Sequence, residues 1–368
     1  MSKSRPAIFA LQLLAGASIL LTTPASAISR PTVIRGSATP TVTVFSTGFN
    51  NPRGLKFGPD GMLYVAEGGT GGGGSTVGQC DQVVPPVGPY TGSPTGGRVS
   101  RVDSSGVRST VTDQLPSSTD AFTPGDVQGV ADVAFVGSTL YALVAGGGCS
   151  HGVIGHPNGI YRVNGNGSTA LIADLGAFQQ AHPVAHPNAG DFEPDGTWYS
   201  MVAVRGSFYA VEPNHGELDR VTTDGTISRV VDISASQGHI VPTAIDSHGV
   251  FYVGNLNTFP IVPGSSKILQ ITPSGQVHTV ATGLTTVLGV AFDHRARMYA
   301  LEMTATAGFP APGAGALVRI TGGKKETLVS GLDFPTAMTF GPDGALYVSA
   351  FGLGPPGAGE VLRIRIDD

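Results

Sequence analysis

Histidine side chains are concentrated in the middle of this chain. The sequence contains nine histidines, and six of them lie between residues 151 and 239: His151, His156, His182, His186, His215 and His239. Carboxylate and amide side chains accompany them at Asp126, Asp191, Glu193, Asp195, Glu212 and Asn214. A histidine beside a carboxylate serves either metal coordination or proton transfer near neutral pH. This segment is therefore the first candidate for a functional site.

Spacing argues against a standard metal motif in this segment. The sequence has no His-x-His, no His-Glu-x-x-His and no Cys-x-x-Cys, which are spacings at which neighbouring ligands share one ion. His182 and His215 are the candidates for moving protons if the protein is an enzyme. We expect ligand contacts from Asp126, His151, His186, Glu193, Asp195, Trp198, Tyr199, Asn214 and His239. For Trp198 the alternative is a place in the core, because this residue begins a predicted strand.

These residues must be positioned by a strand unit that the chain repeats six times. Each unit has an aromatic residue in its second strand, at Tyr64, Tyr141, Tyr209, Tyr252, Tyr299 and Tyr347. The third strand reads x-apolar-x-Arg-apolar, with Gln270 replacing the arginine once. Tight turns such as 105–106 and 224–225 then lead into a fourth strand. Repeats of this length predict an all-β fold, a six-bladed β-propeller of four-stranded antiparallel blades.

The sixth unit has no fourth strand of its own, because the sequence stops at Asp368. Residues 41–47 alternate between polar and apolar side chains just before the first unit. We expect this N-terminal strand to join the C-terminal blade and close the ring, which removes edges that would otherwise pair with other molecules. The repeated arginine is expected to pack between blades or to face solvent.

Antiparallel strand order divides the connecting loops between two rims. Loops that join second to third strands, and fourth strands to the next blade, lie on what we term the first rim. The short hairpins on the opposite side form the second rim. The first-rim loops are 67–97, 113–128, 145–158, 174–197, 232–241, 255–266, 302–315 and 350–359. Long loops on a rigid scaffold commonly carry function, and these loops hold the six clustered histidines.

A second set of polar residues follows the second strands. Four of the six blades have a carboxylate or an amide at this equivalent position, namely Glu67, Glu212, Asn255 and Glu302. Such oxygens are the ligands that calcium prefers. A divalent cation shared by these four residues is the one cofactor that the sequence suggests. The alternative is that each side chain caps its own loop by accepting hydrogen bonds from backbone amides.

The first residues have the composition of an export signal. Lys3 and Arg5 precede an apolar stretch at 7–21, and Ala25-Ser26-Ala27 forms a small-residue cleavage site. The stretch is shorter than the roughly 20 residues that cross a bilayer. We therefore predict a signal peptide at 1–27, a flexible leader at 28–40 and a propeller at 41–368. The protein is expected to be secreted or periplasmic after cleavage near Ala27, without membrane association.

Composition and cysteine content narrow the partners and the compartment. Charged residues make up 13% of the chain and the net charge is −5, without a cluster of lysine and arginine. Nucleic acid is therefore not an expected partner. Cys80 and Cys149 fall in equivalent loops of neighbouring blades. An exported protein favours a disulfide between them, and the alternative is two free, buried thiols.

Several stretches of the sequence are similar to those of a known family. They are Asn51-Pro-Arg-Gly-Leu with Gly58-Pro-Asp-Gly, Gly146-Gly-Gly-Cys-Ser-His-Gly, and residues 286–293 with Leu301-Glu-Met. Over about residues 41–366 the chain resembles the ScyD/ScyE family of propellers, which are similar to NHL-repeat, gluconolactonase-type and strictosidine-synthase-type proteins. The resemblance implies a fold and export more than a reaction. The chain departs from the family pattern at 182–183, 193–199 and 212–215.

These observations predict an exported, monomeric propeller that binds a small molecule or a glycan on its first rim. The alternative is a metal-dependent hydrolase of the lactonase kind, or a lyase, on the same face. There Glu67, Glu212, Asn255 and Glu302 would hold a cation that stabilises oxyanion charge, and His182 or His215 would move protons. A structural interaction protein is a third class, which exposed apolar patches would indicate.

Overall fold

Strands make up most of the described part of the chain. The computed structural model describes residues 32–33, 40–122 and 125–366. In this part, segments with alternating burial form strands, and glycines with positive φ, such as Gly106 and Gly225, form turns between them. The predicted signal peptide at 1–27 lies outside the described residues. Among the residues that are described, no helix is long and apolar enough to cross a membrane.

The strands form six antiparallel sheets, which are the blades of a propeller. Two strands precede the first blade: Thr32–Val33 (β1) and Thr41–Phe49 (β2). Blade 1 contains Pro52–Phe57 (β3), Leu63–Glu67 (β4), Thr91–Val102 (β5), Arg108–Thr119 (β6) and Val127–Gln128 (β7). Blade 2 contains Val130–Val136 (β8), Thr139–Val144 (β9), Gly159–Val163 (β10) and Thr169–Asp174 (β11), with a 3-10 helix at Cys149–His151.

The remaining blades follow the same order. Helix α1 (Leu175–Ala181) leads to blade 3, made of Ser200–Val204 (β12), Ser207–Glu212 (β13), Glu217–Thr222 (β14) and Ile227–Asp232 (β15). Helix α2 (Ser234–Gln237) leads to blade 4, made of Pro242–His248 (β16), Val250–Asn255 (β17), Ser266–Ile271 (β18) and Val277–Leu284 (β19). Blade 5 contains Val287–Phe292 (β20), Met298–Glu302 (β21), Gly315–Thr321 (β22) and Lys324–Leu332 (β23). Blade 6 contains Ala337–Phe340 (β24), Leu346–Ala350 (β25) and Gly359–Arg365 (β26).

Strand β2 closes the ring as the outermost strand of blade 6. It runs antiparallel to β26, with Thr41 opposite Arg365 and Phe49 opposite Gly359. The prediction that residues 41–47 complete the C-terminal blade is therefore confirmed. The all-β, six-bladed architecture is confirmed with it.

The expected leader at 28–40 contains one described strand. Thr32 and Val33 of β1 pair with Ser330 and Val329 at the outer edge of blade 5, which makes that sheet five-stranded. Apart from Pro40, the rest of this segment lies outside the described residues. Part of the expected leader is therefore paired with the propeller.

Aromatic contacts join each blade to the next around the ring. The repeated tyrosine lies next to a phenylalanine of the following blade, with ring centroids 4.4–5.3 Å apart in the pairs Tyr64–Phe135, Tyr141–Phe208, Tyr209–Phe251, Tyr252–Phe292, Tyr299–Phe340 and Tyr347–Phe57. The last pair returns from blade 6 to blade 1, so the contacts form a closed circle. Each is worth about 0.5–1.5 kcal/mol beyond the area that it buries.

The repeated arginine lies opposite the repeated tyrosine in its own blade. The cross-strand pairs are Arg101 with Tyr64, Arg162 with Tyr141, Arg220 with Tyr209, Arg319 with Tyr299 and Arg363 with Tyr347. Gln270 takes the position opposite Tyr252. The two repeated residues therefore form one structural unit, which is why the sequence repeats both.

The first strands of the blades surround the central axis, and a small cavity lies between them. This cavity measures about 20 Å³, room for about one water molecule. Asp132 is buried there and accepts hydrogen bonds from the amide of Met201 (2.9 Å) and the hydroxyl of Ser200 (3.1 Å). A Cβ atom at Gly54 would lie 2.0 Å from Asp132 Oδ1, so this position requires glycine.

Candidate functional site

Two first-rim loops are joined by a disulfide. Cys80 and Cys149 are bonded, with their Cα atoms 6.3 Å apart, which confirms the predicted pairing. Cys149 begins the 3-10 helix Cys149–His151, and its carbonyl accepts a hydrogen bond from the Thr76 hydroxyl. The N-cap of this helix, Gly148, has a φ of 92° and lies so close to Asp195 that a Cβ would be 2.5 Å from Cγ. These contacts fix the position of His151.

His151 and Glu193 form the buried centre of the candidate site. His151 Nε2 lies 3.3 Å from Glu193 Oε2, and the two side chains are 0% and 9% exposed. Burial raises the pKa of Glu193, although His151 acts in the opposite direction. The ring of Tyr90 packs against His151 with centroids 4.7 Å apart. A carboxyl group with a raised pKa beside an imidazole is a candidate for proton transfer.

Asn214 and His239 connect this pair to a carboxylate that reaches solvent. Asn214 accepts a hydrogen bond from the amide of Glu193 at 2.8 Å and donates one to the carbonyl of Asp191. His239 Nε2 lies 2.7 Å from Asp191 Oδ2. The Asp191 side chain is 38% exposed, whereas that of His239 is 9% exposed. Asp191 therefore lies at the solvent-facing side of this group.

Glu212 and His215 form a second buried pair. His215 Nδ1 lies 3.5 Å from Glu212 Oε2. Burial would raise the pKa of Glu212, but the contact with His215 outweighs it and the pKa is lowered. Burial would lower the pKa of His215, but Glu212 outweighs it and the pKa is raised. Both side chains therefore favour their charged forms.

These side chains form one group, which we term the histidine cluster: Tyr90, His151, Asp191, Glu193, Glu212, Asn214, His215 and His239. Four of its buried polar atoms make no well-aligned hydrogen bond among the described residues. Three of them lie in ion-pair contact only, His151 Nε2 and Glu193 Oε2 with each other at 3.3 Å and His215 Nδ1 with Glu212 Oε2 at 3.5 Å, and the fourth is His239 Nδ1. An unsatisfied buried polar atom costs about 1–3 kcal/mol. Such atoms in a native protein indicate a ligand, an ordered water or a catalytic role.

Asp195 was predicted to contact a ligand. In the structure it lies next to the histidine cluster and accepts hydrogen bonds from Ser150. Its Oδ2 accepts hydrogen bonds from the amide of Ser150 at 2.6 Å and from the Ser150 hydroxyl at 2.7 Å. Because Ser150 precedes His151 in the same short helix, Asp195 holds the imidazole in place. Its second oxygen accepts a hydrogen bond from Gln180 at 3.2 Å.

Asp126 and Tyr199, also predicted to contact a ligand, lie at the first-rim end of the central axis. Asp126 Oδ1 is 2.8 Å from Arg53 Nη2, and the Arg53 guanidinium lies 5.8 Å from the centroid of the Tyr199 ring. Burial would lower the pKa of Arg53, but Asp126 and Tyr199 outweigh it and the pKa is raised. The Tyr199 hydroxyl donates to the carbonyl of Thr336 in blade 6, at 3.2 Å. These contacts link blades 1, 3 and 6 across the axis.

Trp198, His182 and His186 lie outside the cluster. Trp198 is fully buried in the core between blades 2 and 3, so the expected stacking surface is corrected to the core alternative. His182 is exposed at the end of α1, where it stacks on Phe178 with ring centroids 4.4 Å apart. His186 is exposed as well. The structure therefore does not bring His182 together with His215.

The residues of the predicted calcium site fasten their own loops. The carboxylates accept backbone hydrogen bonds of 2.7–2.8 Å from the residues that lead into the same blade, in the pairs Glu67–Asn50, Glu212–Thr197 and Glu302–Thr285. Asn255 accepts from the amide of Lys267 at 2.8 Å and donates to the carbonyl of Ile240 at 2.8 Å.

Two of these carboxylates form ion pairs with basic side chains of the protein. Arg98 forms an ion pair with Glu67, and Lys325 Nζ lies 3.0 Å from Glu302 Oε1. Within the described ranges, no three histidine, cysteine, aspartate or glutamate side chains lie close enough together to hold a metal ion. These contacts are those of the loop-capping alternative to a shared calcium site.

Three exposed phenylalanines form an aromatic patch on the first rim. Phe309 lies 5.6 Å from Phe259 and 6.3 Å from Phe122, measured between ring centroids. The three residues are 46–56% exposed. They come from first-rim loops of blades 1, 4 and 5, so no single stretch of sequence contains the patch. Two of them precede proline, at 259–260 and 309–310, a local signal that indicates a turn but not a meeting of loops.

Sequence comparison and structure comparison give different results for this chain. No family model matches it, and no curated protein matches it in sequence. Solved structures do match. A protein from Thermus thermophilus described as an oxidoreductase (glucose dehydrogenase) aligns with a TM-score of 0.57 and 16% identity, over 89% of this chain and 100% of its own.

Two further solved structures have a similar degree of likeness. A gluconolactonase from Xanthomonas campestris has a TM-score of 0.55 and 12% identity, over 92% of this chain and 95% of its own. A luciferin-regenerating enzyme has a TM-score of 0.52 and 11% identity, over 88% of this chain and 95% of its own. At these identities the likeness shows the fold that this chain shares with gluconolactonase-like propellers, and nothing of its chemistry.

Proposed function

We propose that this protein is an exported, monomeric propeller that binds a small organic molecule, such as a glycan unit or a lactone, at the histidine cluster. The observation that carries the proposal is the set of four buried polar atoms there that make no well-aligned hydrogen bond among the described residues, of which His239 Nδ1 has no ion-pair contact either. Hydroxyl and carbonyl groups of a ligand can satisfy imidazole nitrogens and a carboxyl oxygen. Binding sites typically combine a few such polar groups with an apolar surface.

The aromatic patch on the same rim supports this proposal. Exposed rings of Phe122, Phe259 and Phe309 offer a face on which a sugar ring or an aromatic group can lie. Isolated exposed apolar residues are ordinary, but a contiguous patch indicates an interaction site. In this proposal the patch takes the role that the sequence suggested for Trp198.

The N-terminal sequence and the family motifs support the other parts of the proposal. The composition of residues 1–27 supports secretion or export to the periplasm. The motifs at 51–61, 146–152 and 286–303 support a place among ScyD/ScyE-type propellers. The low content of lysine and arginine supports a small ligand over nucleic acid.

The test is a thermal-shift titration with D-glucono-1,5-lactone and phenyl β-D-glucopyranoside as probes. A ligand at 100 times its dissociation constant stabilises the native state by about 2.7 kcal/mol. We expect a probe to raise the melting temperature of the wild type and of Glu326→Gln, a matched control on the outer strand of blade 5. The shift should be lost in Glu193→Gln. An equal shift in Glu193→Gln, or no shift with either probe, would contradict the proposal.

A second candidate function is a hydrolase or a lyase at the same residues. The raised pKa of Glu193, with His151 3.3 Å away, favours it. In its ionised form Glu193 can accept a proton from water or substrate at Oε2, and it can return that proton to a leaving group.

Turnover separates the two candidates. Hydrolysis of the lactone releases acid, which a pH-stat records directly. An enzyme should lose turnover in Glu193→Gln and keep it in the outer-strand control Glu326→Gln. A wild type that binds the probe without releasing acid is a binding protein for that compound.

A further inference from the structure

A cavity lies on the second rim between blades 1 and 2. The histidine cluster belongs to the first rim, so the two places are on opposite sides of the blades. The cavity has a volume of about 470 Å³, within the roughly 300–1,000 Å³ of small-molecule sites. Residues of the second-rim hairpins Ser138–Thr139 and Asn164–Gly165 form part of its wall. The side chains that matter for its chemistry are Tyr64, Arg101, Val111, Phe135 and Arg162.

The two arginines occupy the repeated third-strand position, so the other blades provide an internal comparison. In blade 5, Arg319 Nη2 lies 2.6 Å from Glu326 Oε2, and in blade 6, Arg363 forms an ion pair with Asp343. In blade 3, Arg220 donates to the Ser207 hydroxyl at 3.0 Å. Blade 4 has the neutral Gln270. Blades 5 and 6 therefore pair this arginine with an acidic side chain, and blade 3 gives it a hydroxyl group as a neutral partner.

Blades 1 and 2 differ from blades 5 and 6 because their arginine has no acidic partner among the described residues, although Arg101 forms a hydrogen bond with the Tyr64 hydroxyl. Arg101 and Arg162 are both exposed, and neither forms an ion pair with an acid in the part of the chain that the structure describes. The wall of the cavity contains no aspartate or glutamate. Asp60 lies nearby outside the wall, where it accepts a hydrogen bond from the Tyr64 hydroxyl at 3.0 Å. The second-rim hairpin 136–139 of blade 2 has no acidic residue at all.

We propose that this cavity binds a small organic anion. The carboxylate, sulfonate or phosphate group of the ligand contacts the guanidinium groups of Arg101 and Arg162. Its apolar part lies against Phe135 and Val111. Guanidinium groups present paired donors that match such oxyanions and stay charged at any physiological pH.

The test uses two fluorescent probes that differ by one group. The first, 8-anilinonaphthalene-1-sulfonate, combines aromatic rings with a sulfonate, and the second, N-phenyl-1-naphthylamine, lacks the sulfonate. Hydrogen bonds to charged groups are worth about 1.5–3 kcal/mol each. In the double variant Arg101→Gln/Arg162→Gln, we expect the dissociation constant of the sulfonate to rise by about tenfold or more. Inorganic phosphate should displace the sulfonate from the wild type.

Arg220→Gln is the matched control, because it changes the same repeated position outside the cavity. It should leave the dissociation constant of the sulfonate within about twofold of the wild type, and the uncharged probe should bind all variants equally. Unchanged melting temperatures of the variants show that folding is intact, as expected for exposed arginines. Sulfonate binding that persists in the double variant, for example at the aromatic patch, would overturn the proposal. Equal loss in Arg220→Gln would also overturn it.

Discussion

At the scale of single residues, burial sets the protonation of the acids in blade 3. Asp219 is fully buried beneath Trp198, whose Nε1 lies 3.4 Å from Oδ2. Burial raises the pKa of Asp219 well above its ordinary 3.8, and the neighbouring Glu217 adds to this. Burial likewise raises the pKa of Glu217 to about 6, although Arg229 opposes it. These acids reduce stability at neutral pH relative to acidic pH.

Asp219→Asn should therefore stabilise the protein at pH 8. The unfolded chain ionises this group above its ordinary pKa of 3.8, whereas the native state keeps it protonated to higher pH. The native state therefore loses stability as the pH rises above that value. An amide avoids the loss, and its oxygen can still accept the bond from Trp198.

Thermal melting between pH 4 and pH 8 checks this prediction. The melting temperature of Asp219→Asn should exceed that of the wild type by about 2 °C or more at pH 8, the size expected for about 1 kcal/mol. The difference should shrink toward pH 4. Asp113→Asn, at an exposed aspartate of blade 1, is the matched control. A gain that does not change with pH would refute the assigned protonation.

The Glu212–His215 pair gives a second prediction for single residues. Glu212→Gln removes the negative charge that raises the pKa of His215, so burial should dominate and the pKa of His215 should fall. The glutamine oxygen can still accept the bond from the Thr197 amide, which keeps the loop in place. NMR titration of the histidine ring protons measures the pKa directly. A His215 pKa that stays unchanged would mean that the two side chains are not paired in solution.

At the scale of elements, the disulfide ties the loop that carries Tyr90 to the 3-10 helix that carries His151. The bonded residues are 69 apart in sequence. Closing a loop of this length removes chain entropy worth up to about 4 kcal/mol from the unfolded state. The same bond fixes the two loops next to the histidine cluster, so stability and site geometry depend on it together.

Replacing Cys80 and Cys149 with serine should lower the free energy of unfolding by about 2–4 kcal/mol. Chemical denaturation of the variant and the wild type measures the change. The effect should equal that of reducing the wild type, because both remove the same bond. A variant as stable as the oxidised wild type would show that the bond does not constrain the unfolded chain.

At the scale of the whole molecule, stability depends on the closure of the ring by β2. Deleting residues 41–47 leaves β26 as the open edge of blade 6, whereas deleting 28–40 removes only the short strand β1 and Pro40 from the described structure. The first deletion should yield aggregates in size-exclusion chromatography, because open edges pair with other molecules. The second should yield a soluble monomer. A monomeric, folded product from the first deletion would contradict the closure.

The repeat is the reason why the architecture could be predicted. A strand has a local pattern of burial, so the six tyrosines and the arginines mark equivalent positions before any coordinates are known. Each tyrosine lies opposite the arginine or glutamine of its own blade and contacts a phenylalanine of the next. The same logic placed residues 41–47, because one blade lacked a strand.

The site was predicted only in part, because first-rim loops have no repeating pattern. Glu193, His151, Asn214 and His239 meet through loop conformations that the sequence does not encode locally. The sequence allowed Glu67 and Glu302 either to bind a cation or to cap their own loops. In the structure both carboxylates accept hydrogen bonds from nearby backbone amides. The aromatic patch forms only where loops of three blades meet, and the sequence of one loop does not show this contact. Trp198 belongs to the core because its indole fills the space between two blades.

The most direct test of the proposed function is a crystallographic fragment screen of the protein with monosaccharide lactones and aromatic glycosides. We predict electron density for a fragment within hydrogen-bonding distance of Glu193 Oε2 or His239 Nδ1. Fragments that bind only on the second rim, or ordered water alone at these atoms under saturating ligand, would contradict it.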